Sequence, residues 1–320
     1  MLPHVHRVTK YDPAHRDRQG RYTGPEDTDS DRGPVEAAYL RAVAAFAEEA
    51  GVGFLSVREP ALGPEPSDGD LGAAALRLGG TAGFHDGARI PLRSALELVR
   101  TMLRGGAWCR LEAEGAFAVH VGWDQYVYVG SARPCPRAAA RTRALGLFPE
   151  PLDASPYDIA FDAEPGGRRP ADAGFWALLH RCTAAGRAGL LEEEYATGAV
   201  RRHLLTPGTL RRVRAGLAPR ARLEVWPPLS GDVGAVLVGL PREDPVELLW
   251  ADAEGAVRAA EVEEGTGPEQ AAALVRGARA AALLPVYLDD RAPLLTAVLP
   301  DPDGVLRARW RTAPAATDRA

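Results

Sequence analysis

The sequence predicts an α+β protein made of two domains. Segments with apolar residues at helical spacing alternate with short runs of β-branched and aromatic residues, and short turns join several of these runs. A stretch rich in Pro, Gly and charged residues at 156–171 reads as a linker between domains at 1–155 and 172–320. Each domain is expected to form a mainly antiparallel sheet with its helices on one face.

The first domain begins with an alternating strand over 4–11. A helix follows Pro34, which suits the first helical position, and Gly51 is expected to end it. The remaining elements are a strand, a helix, three strands of an antiparallel meander, a helix and a strand. They are predicted at 53–59, 91–106, 108–114, 117–123, 125–131, 135–146 and 147–152.

The second domain is expected to open with a long helix over 172–195. From residue 221 onward the order is strand, helix, two strands, helix, strand and a final hairpin, which fits a ferredoxin-like split βαβ unit. The predicted elements after the long helix cover 207–216, 221–227, 231–240, 245–252, 256–264, 267–281, 283–289, 294–301 and 305–312.

Composition limits the classes of function. The 320 residues are 46% hydrophobic and 25% charged, with a net charge of −5. An acidic balance argues against binding nucleic acid over the whole surface, although local basic patches stay open. The three cysteines are far apart and favour neither a zinc site nor a disulfide framework. We expect a cytoplasmic protein with no cofactor and no membrane partner.

An aromatic hairpin, FAVHVGWDQYVYVG at 117–130, is the first candidate site. If the Asp-Gln pair at 124–125 is a two-residue turn, Trp123, Tyr126 and Tyr128 share one face and His120 lies on the other. Asp-Gln is not a favoured turn pair, so a register one residue away would exchange the faces. The aromatic face either packs under helices or stacks on the bases of single-stranded RNA.

Arginine-rich segments are the second candidate. Seven arginines and no acid lie between Tyr195 and Leu223, and four more without an acid lie in 132–149. Guanidinium groups bind phosphates well, but such clusters also occur as solvated helix faces paired with acids. The arginines predicted to contact RNA are Arg133, Arg137, Arg141, Arg211, Arg212 and Arg214.

Histidines give a third candidate. His4 and His6 point to the same side of a strand, and Asp12 follows, so the three side chains suit a divalent metal ion. His85 is expected to be exposed in a turn. No nucleophile motif occurs, and no catalytic residue is predicted.

Three segments resemble a poorly characterised bacterial family of actinobacterial type. They read HVHRVTKYDPAHRD, WCRLEAEGAFAVHVGWDQYVYVGS and RALGLFPEPLDASPY, and the resemblance covers about residues 4–157. Many relatives carry the label RNA-binding protein, so the resemblance implies RNA binding and supplies no catalytic residues. The matching positions are His4, His6, Thr9, Lys10, Tyr11, Asp12, Arg16, Asp17, Cys109, Arg110, His120, Asp124, Tyr126 and Tyr128.

The sequence therefore predicts a non-enzymatic protein that binds RNA. Two alternatives stay open. One is an accessory or immunity-type protein that binds a protein partner, and the other is a metal-assisted hydrolase that uses the N-terminal histidines with His120. The oligomeric state is not predicted.

Overall fold

The computed structural model describes residues 2–19, 21–25, 32–63, 84–122, 126–158, 167–241, 243–287, 290–310 and 312. Within these residues the chain forms seven α-helices and fourteen strands in three antiparallel sheets, which is the α+β class that the sequence predicts. No helix among them is long and apolar enough to span a bilayer.

The chain divides into two compact units, residues 1–164 with 196–199 and residues 165–195 with 200–320. The division falls inside the stretch 156–171, of which residues 159–166 lie outside the described part of the chain. The domain boundaries at 155 and 172 stay a prediction.

The first unit is a seven-stranded sheet with three helices. The strand order is β3-β2-β4-β5-β6-β1-β7, so the N-terminal strand lies inside the sheet between β6 and β7. The strands are β1 His4–Thr9, β2 Phe54–Leu62, β3 Arg89–Pro91, β4 Ala107–Ala113, β5 Phe117–Val121, β6 Val127–Ser131 and β7 Phe148–Leu152. The helices are α1 Pro34–Ala50, α2 Leu92–Leu103 and α3 Pro136–Ala144.

All three helices of this unit match the sequence prediction, because each begins at or near a proline and carries apolar residues at helical spacing. They lie on the sheet face that carries Val119, Val129 and His6. The ring of His6 packs 5.1 Å from that of Phe46 in α1. The opposite face of the sheet, called the open face below, carries Arg7, His120 and Tyr128.

The second unit contains two sheets instead of the single sheet expected. The four-stranded sheet has the order β14-β10-β8-β9 and the three-stranded sheet β12-β11-β13. The strands are β8 Leu190–Ala196, β9 Ala199–Leu204, β10 Arg222–Trp226, β11 Val246–Ala251, β12 Val257–Val262, β13 Ala280–Pro285 and β14 Leu295–Val298. The helices are α4 Ala173–Ala184, α5 Leu210–Gly216, α6 Val233–Val238 and α7 Pro268–Leu274.

This arrangement corrects the ferredoxin-like expectation. In a split βαβ unit β10 would share one sheet with β11, β12 and β13, but β10 pairs with β8 and β14, and the other three strands form a separate sheet. The pairing buries Leu223 and Val225 completely in a core with α4 and α5. The three-stranded sheet builds its own core with α6 and α7.

Two predicted elements of this unit differ from the structure. The helix predicted over 172–195 ends at Ala184, and the remainder becomes strand β8. Gly186, just after α4, has a left-handed conformation with φ of 69°. Gly189 lies so close to Pro228 that a Cβ added to Gly189 would be 2.4 Å from the Cα of Pro228. Among the described residues of the predicted strand 305–312, none is in a strand.

Candidate functional site

The aromatic hairpin has a register one residue away from a two-residue turn. His120 pairs with Tyr128, and the Gly122 N–H donates to the Tyr126 carbonyl over 2.9 Å. The faces are therefore exchanged relative to the prediction, and His120 shares the open face with the tyrosines. The exchange lets four valines face the helices together: Val119, Val121, Val127 and Val129. Trp123 and the pair at 124–125 lie outside the described residues.

The two described tyrosines are packed against other side chains of the open face. Tyr128 is only 6% exposed, and its ring meets that of Tyr157 edge-on at 5.2 Å. Tyr126 is half-buried beneath the N-terminal segment. Its ring centroid lies 5.6 Å from the guanidinium of Arg7, 5.2 Å from that of Arg16 and 6.1 Å from the ring of Tyr11.

The arginines of α3 lie on the other side of the sheet from these tyrosines. Arg137 Nε is 3.2 Å from Glu49 and Arg141 Nη1 is 3.3 Å from Glu48, so both hold α3 to α1. Arg133 is exposed in the turn after β6. Tyr126 and Tyr128 are therefore on the sheet face opposite to Arg137 and Arg141.

The N-terminal histidines do not assemble with Asp12. His4 and His6 face the helices, whereas Asp12 caps a short 3₁₀ helix at Pro13–His15 by accepting the Ala14 N–H over 2.9 Å. Burial, with the nearby charge of Arg143, lowers the pKa of His6. His120 is on the opposite face, and no three His, Cys, Asp or Glu side chains in the described residues are arranged to hold a metal ion. Within the described residues His4, His6 and Asp12 therefore do not form the predicted metal cluster, and the hydrolase alternative stays a prediction.

The arginines of the second unit between Tyr195 and Leu223 fall into two groups, those in ion pairs and those that are exposed. Of the seven between Tyr195 and Leu223, four lie in ion pairs with carboxylates of the same unit. These pairs are Arg201–Glu193, Arg202–Glu192, Arg220–Asp301 and Arg222–Glu194. The other three, Arg211, Arg212 and Arg214, lie on α5 with their side chains exposed.

Helices α4 and α5 cover one face of the four-stranded sheet. Trp176 and Leu179 of α4 and Leu210 and Val213 of α5 point into the shared core. The guanidinium of Arg214 lies 4.8 Å above the ring of Trp176, so the two helices are neighbours. The exposed positions of α4, of α5 and of the segment just after α4 carry six basic residues, called the basic layer below: His180, Arg181, Arg187, Arg211, Arg212 and Arg214.

Acids are almost absent from the chain that builds this layer. Residues 204–221 contain no Asp or Glu, and 172–189 contain only Asp172. Asp172 caps α4 by accepting the Phe175 N–H over 2.9 Å. The net charge of the protein is −5, so the basic layer is a local region of opposite, positive charge.

Comparison of the sequence with protein-family models and curated proteins, and of the fold with solved structures, found no match.

Proposed function

We propose that the protein binds RNA and that the basic layer is its contact surface. The observation that carries the proposal is the division of the arginines in 195–223. Four of them are held by buried or half-buried carboxylates, and the three of α5 point outward from a helical layer with almost no acid. The family resemblance of the first domain points to the same ligand.

The layer suits the phosphate backbone more than the bases. Arginine guanidinium groups form forked hydrogen bonds to phosphate oxygens, and Arg211 and Arg214 are one helical turn apart on α5. Exposed aromatic rings, which stack on bases, are not part of this layer, because Trp176 is 6% exposed beneath Arg214. We therefore expect binding with little sequence preference and a steep dependence on salt.

The test is fluorescence anisotropy with labelled single-stranded and hairpin RNA at about 50 and 200 mM salt. The R211Q/R212Q variant removes two exposed charges without touching the core. We expect its affinity at the lower salt to fall several-fold, and the slope of log affinity against log salt to decrease by about two, one for each lost phosphate contact.

The R137Q/R141Q variant is the matched control, because it removes the same charge from arginines that pair with Glu49 and Glu48. It should bind RNA as the wild type does. An equal loss in both variants would assign the effect to net charge alone, and a larger loss in R137Q/R141Q would move the contact to α3. Absence of binding by the wild type at the lower salt would refute the proposal.

A further inference from the structure

The three-stranded sheet of the second unit has two edge strands, β12 and β13, and the chain itself pairs with one of them. On the side of β13 away from β11, the N–H of Ala281 donates to the Ser230 carbonyl over 2.9 Å. The Ser230 N–H donates in turn to the Ala281 carbonyl over 2.8 Å. The segment before α6 therefore occupies part of the β13 edge, which is a common way for a protein to protect a sheet edge.

The hydrogen bonds of β12, the other edge strand, alternate along its length. The hairpin closes where the Asp252 N–H donates to the Ala256 carbonyl over 3.0 Å, and the same register continues to the pair of Val246 with Val262. In an antiparallel pair every second residue bonds to the neighbouring strand, and the residues between them point their N–H and C=O groups away from it. The outward residues of β12 are Val257, Ala259 and Glu261.

These outward backbone groups have no partner in the part of the chain that the structure describes. No hydrogen bond joins the N–H or C=O of Val257, Ala259 or Glu261 to a described residue outside the β11–β12 pair. The strand also lacks the features that protect other edges, because its register with β11 is unbroken and it contains no proline, whereas the edge strand β7 contains two. β12 is therefore a template for one more strand.

The surroundings of β12 are acidic. Residues 229–285, which form the three-stranded sheet with α6 and α7, contain ten acids and four arginines, a net charge of −6 in a protein whose total is −5. The arginine of the strand, Arg258, lies 2.9 Å from the carboxylate of Asp252. Three glutamates at the end of the strand are exposed and form no ion pair with a described residue: Glu261, Glu263 and Glu264.

We infer that β12 binds an extended segment of a partner protein as an additional antiparallel strand, and that this segment carries Arg or Lys opposite Glu261. The outward backbone groups supply the hydrogen bonds, and opposite charges on facing residues of two strands attract. A second copy of the chain is disfavoured as the occupant, because two surfaces of net charge −6 would then meet. The inference does not rest on the proposed RNA binding, since β12 contains no residue of the basic layer.

The test uses the whole protein and two peptides that are blocked at both ends, RTRTVTV and ETETVTV. When the first valine of RTRTVTV faces Ala259 in an antiparallel pair, its second arginine faces Glu261. Calorimetric titration should show saturable binding of RTRTVTV and binding of ETETVTV that is weaker by at least about fivefold. The inference is overturned if RTRTVTV does not bind or if both peptides bind equally well.

Hydrogen exchange measured by NMR gives a readout that is specific for an added strand. In the free protein the amides of Arg258 and Ala260, which bond to β11, should exchange more slowly than the outward amides of Val257, Ala259 and Glu261. Addition of RTRTVTV should slow the exchange of the three outward amides. Binding without this protection contradicts the inference. Protection that increases with protein concentration in the absence of peptide would assign the edge to a second copy and also overturn it.

The A259P variant removes an outward N–H and leaves the hydrogen bonds to β11 in place, so it should fold and bind RTRTVTV at least about tenfold more weakly. It should bind RNA as the wild type does, which separates this inference from the proposed function. The same contact is tested on wild-type protein with N-methylated peptides. Methylation of the first valine, whose N–H points to β12, should prevent binding, and methylation of the threonine that follows, whose N–H points away, should not.

The E261Q variant tests the contribution of charge. It should weaken the binding of RTRTVTV by about two- to fivefold, because one opposite-charge pair across the strands is lost. The matched control is E254Q, an exposed glutamate in the turn at the other end of β12, where the peptide has no arginine. Equal effects of E261Q and E254Q, or of the two methylated peptides, would overturn the inference.

Discussion

Gly51 illustrates how one residue ends an element in this protein. It adopts a left-handed conformation with φ of 76° directly after α1, and its N–H donates to the Glu48 carbonyl over 3.0 Å. The next N–H, of Val52, donates to the Ala47 carbonyl over 2.9 Å. The sequence predicts this helix end, because glycine adopts the left-handed region without a steric penalty.

The G51A variant should lower the free energy of unfolding by about 1 kcal/mol. An added Cβ would meet no atom within 4 Å, so the whole cost is conformational. Gly53 offers a control two residues away, because its Cβ would also meet nothing but its φ is not in the left-handed region. Urea denaturation should show a clear loss for G51A and little change for G53A, and equal effects would contradict this explanation.

Glu193 is the most deeply buried charged residue among the described positions. It is 0% exposed and accepts hydrogen bonds from Arg201, from His203 Nε2 over 2.8 Å and from the Ala218 N–H over 2.6 Å. Burial alone would raise its pKa, but these hydrogen bonds outweigh the burial and hold the pKa of Glu193 below its ordinary value of 4.5. The Glu193 carboxylate therefore stabilises the folded state at pH values at which it is ionised.

The E193Q variant should lose at least about 2 kcal/mol of stability at neutral pH. Because the folded-state pKa is lowered, the contribution of Glu193 is present above the ordinary value of 4.5 and is lost as the pH falls through the folded-state value. Urea unfolding at several pH values should show that the difference in unfolding free energy between E193Q and the wild type becomes smaller below pH 4.5. E254Q, in an exposed turn, is the control, and a difference that does not change with pH would contradict the prediction.

The aromatic hairpin shows what the sequence predicts well about an element. The strands predicted at 117–123 and 125–131 are observed as β5 and β6, with slightly different ends. Their register was ambiguous, because a shift of one residue exchanges the faces while the alternation of residue types stays the same. Burial of the valine face under α1 and α2 selects the observed register and places His120 on the open face.

Strand β8 shows the opposite case. Its sequence, LLEEEYA, favours a helix by propensity, and the prediction extended α4 through it. The structure makes it a central strand because Glu192 and Glu193, on opposite faces, find arginine partners on β9. Those partners lie 8 and 10 residues further along the chain, outside the i+3 and i+4 spacing of helical pairs, so helical periodicity does not indicate them.

The contact between α1 and α2 gives a prediction at this scale. Glu36 of α1 is 6% exposed and accepts from Arg100 Nε over 3.1 Å and Arg104 Nε over 2.7 Å. The E36Q variant should lose about 1–3 kcal/mol of stability, because the hydrogen bonds from two guanidinium groups to a buried carboxylate are weakened.

E48Q is the matched control, because it changes a glutamate of the same helix whose pair with Arg141 is exposed. Its effect should stay below about 0.5 kcal/mol. Chemical denaturation of the two variants measures the loss of unfolding free energy in each. Similar losses would mean that burial of Glu36 does not decide its contribution.

The distribution of charge is a property of the whole molecule. The net charge of −5 argues against a nucleic-acid protein, yet the basic layer is concentrated on α4 and α5. The sequence predicts the cluster of seven arginines but not which of them pair internally. That division depends on the carboxylates of β8 and of residue 301, which only the folded chain brings to them.

The three cysteines provide a test of the fold as a whole. Cys109 and Cys135 are buried, and burial raises the pKa of the Cys109 thiol to about 12, whereas Cys182 is partly exposed. A thiol reagent should therefore modify only Cys182 in the native protein and all three cysteines after denaturation. Absorbance and mass spectrometry measure the number of modified cysteines. The native C182A variant should show no fast reaction with the reagent. Rapid native modification of Cys109 would contradict the core described for the first unit.

The sequence by itself determined the α+β class, the helices of the first unit and the location of the basic segments, because these follow from local periodicity, prolines, glycines and composition. Tertiary structure alone decided the register of the aromatic hairpin, the division of the second unit into two sheets and the pairing of its arginines. Each of these depends on which distant surfaces bury together.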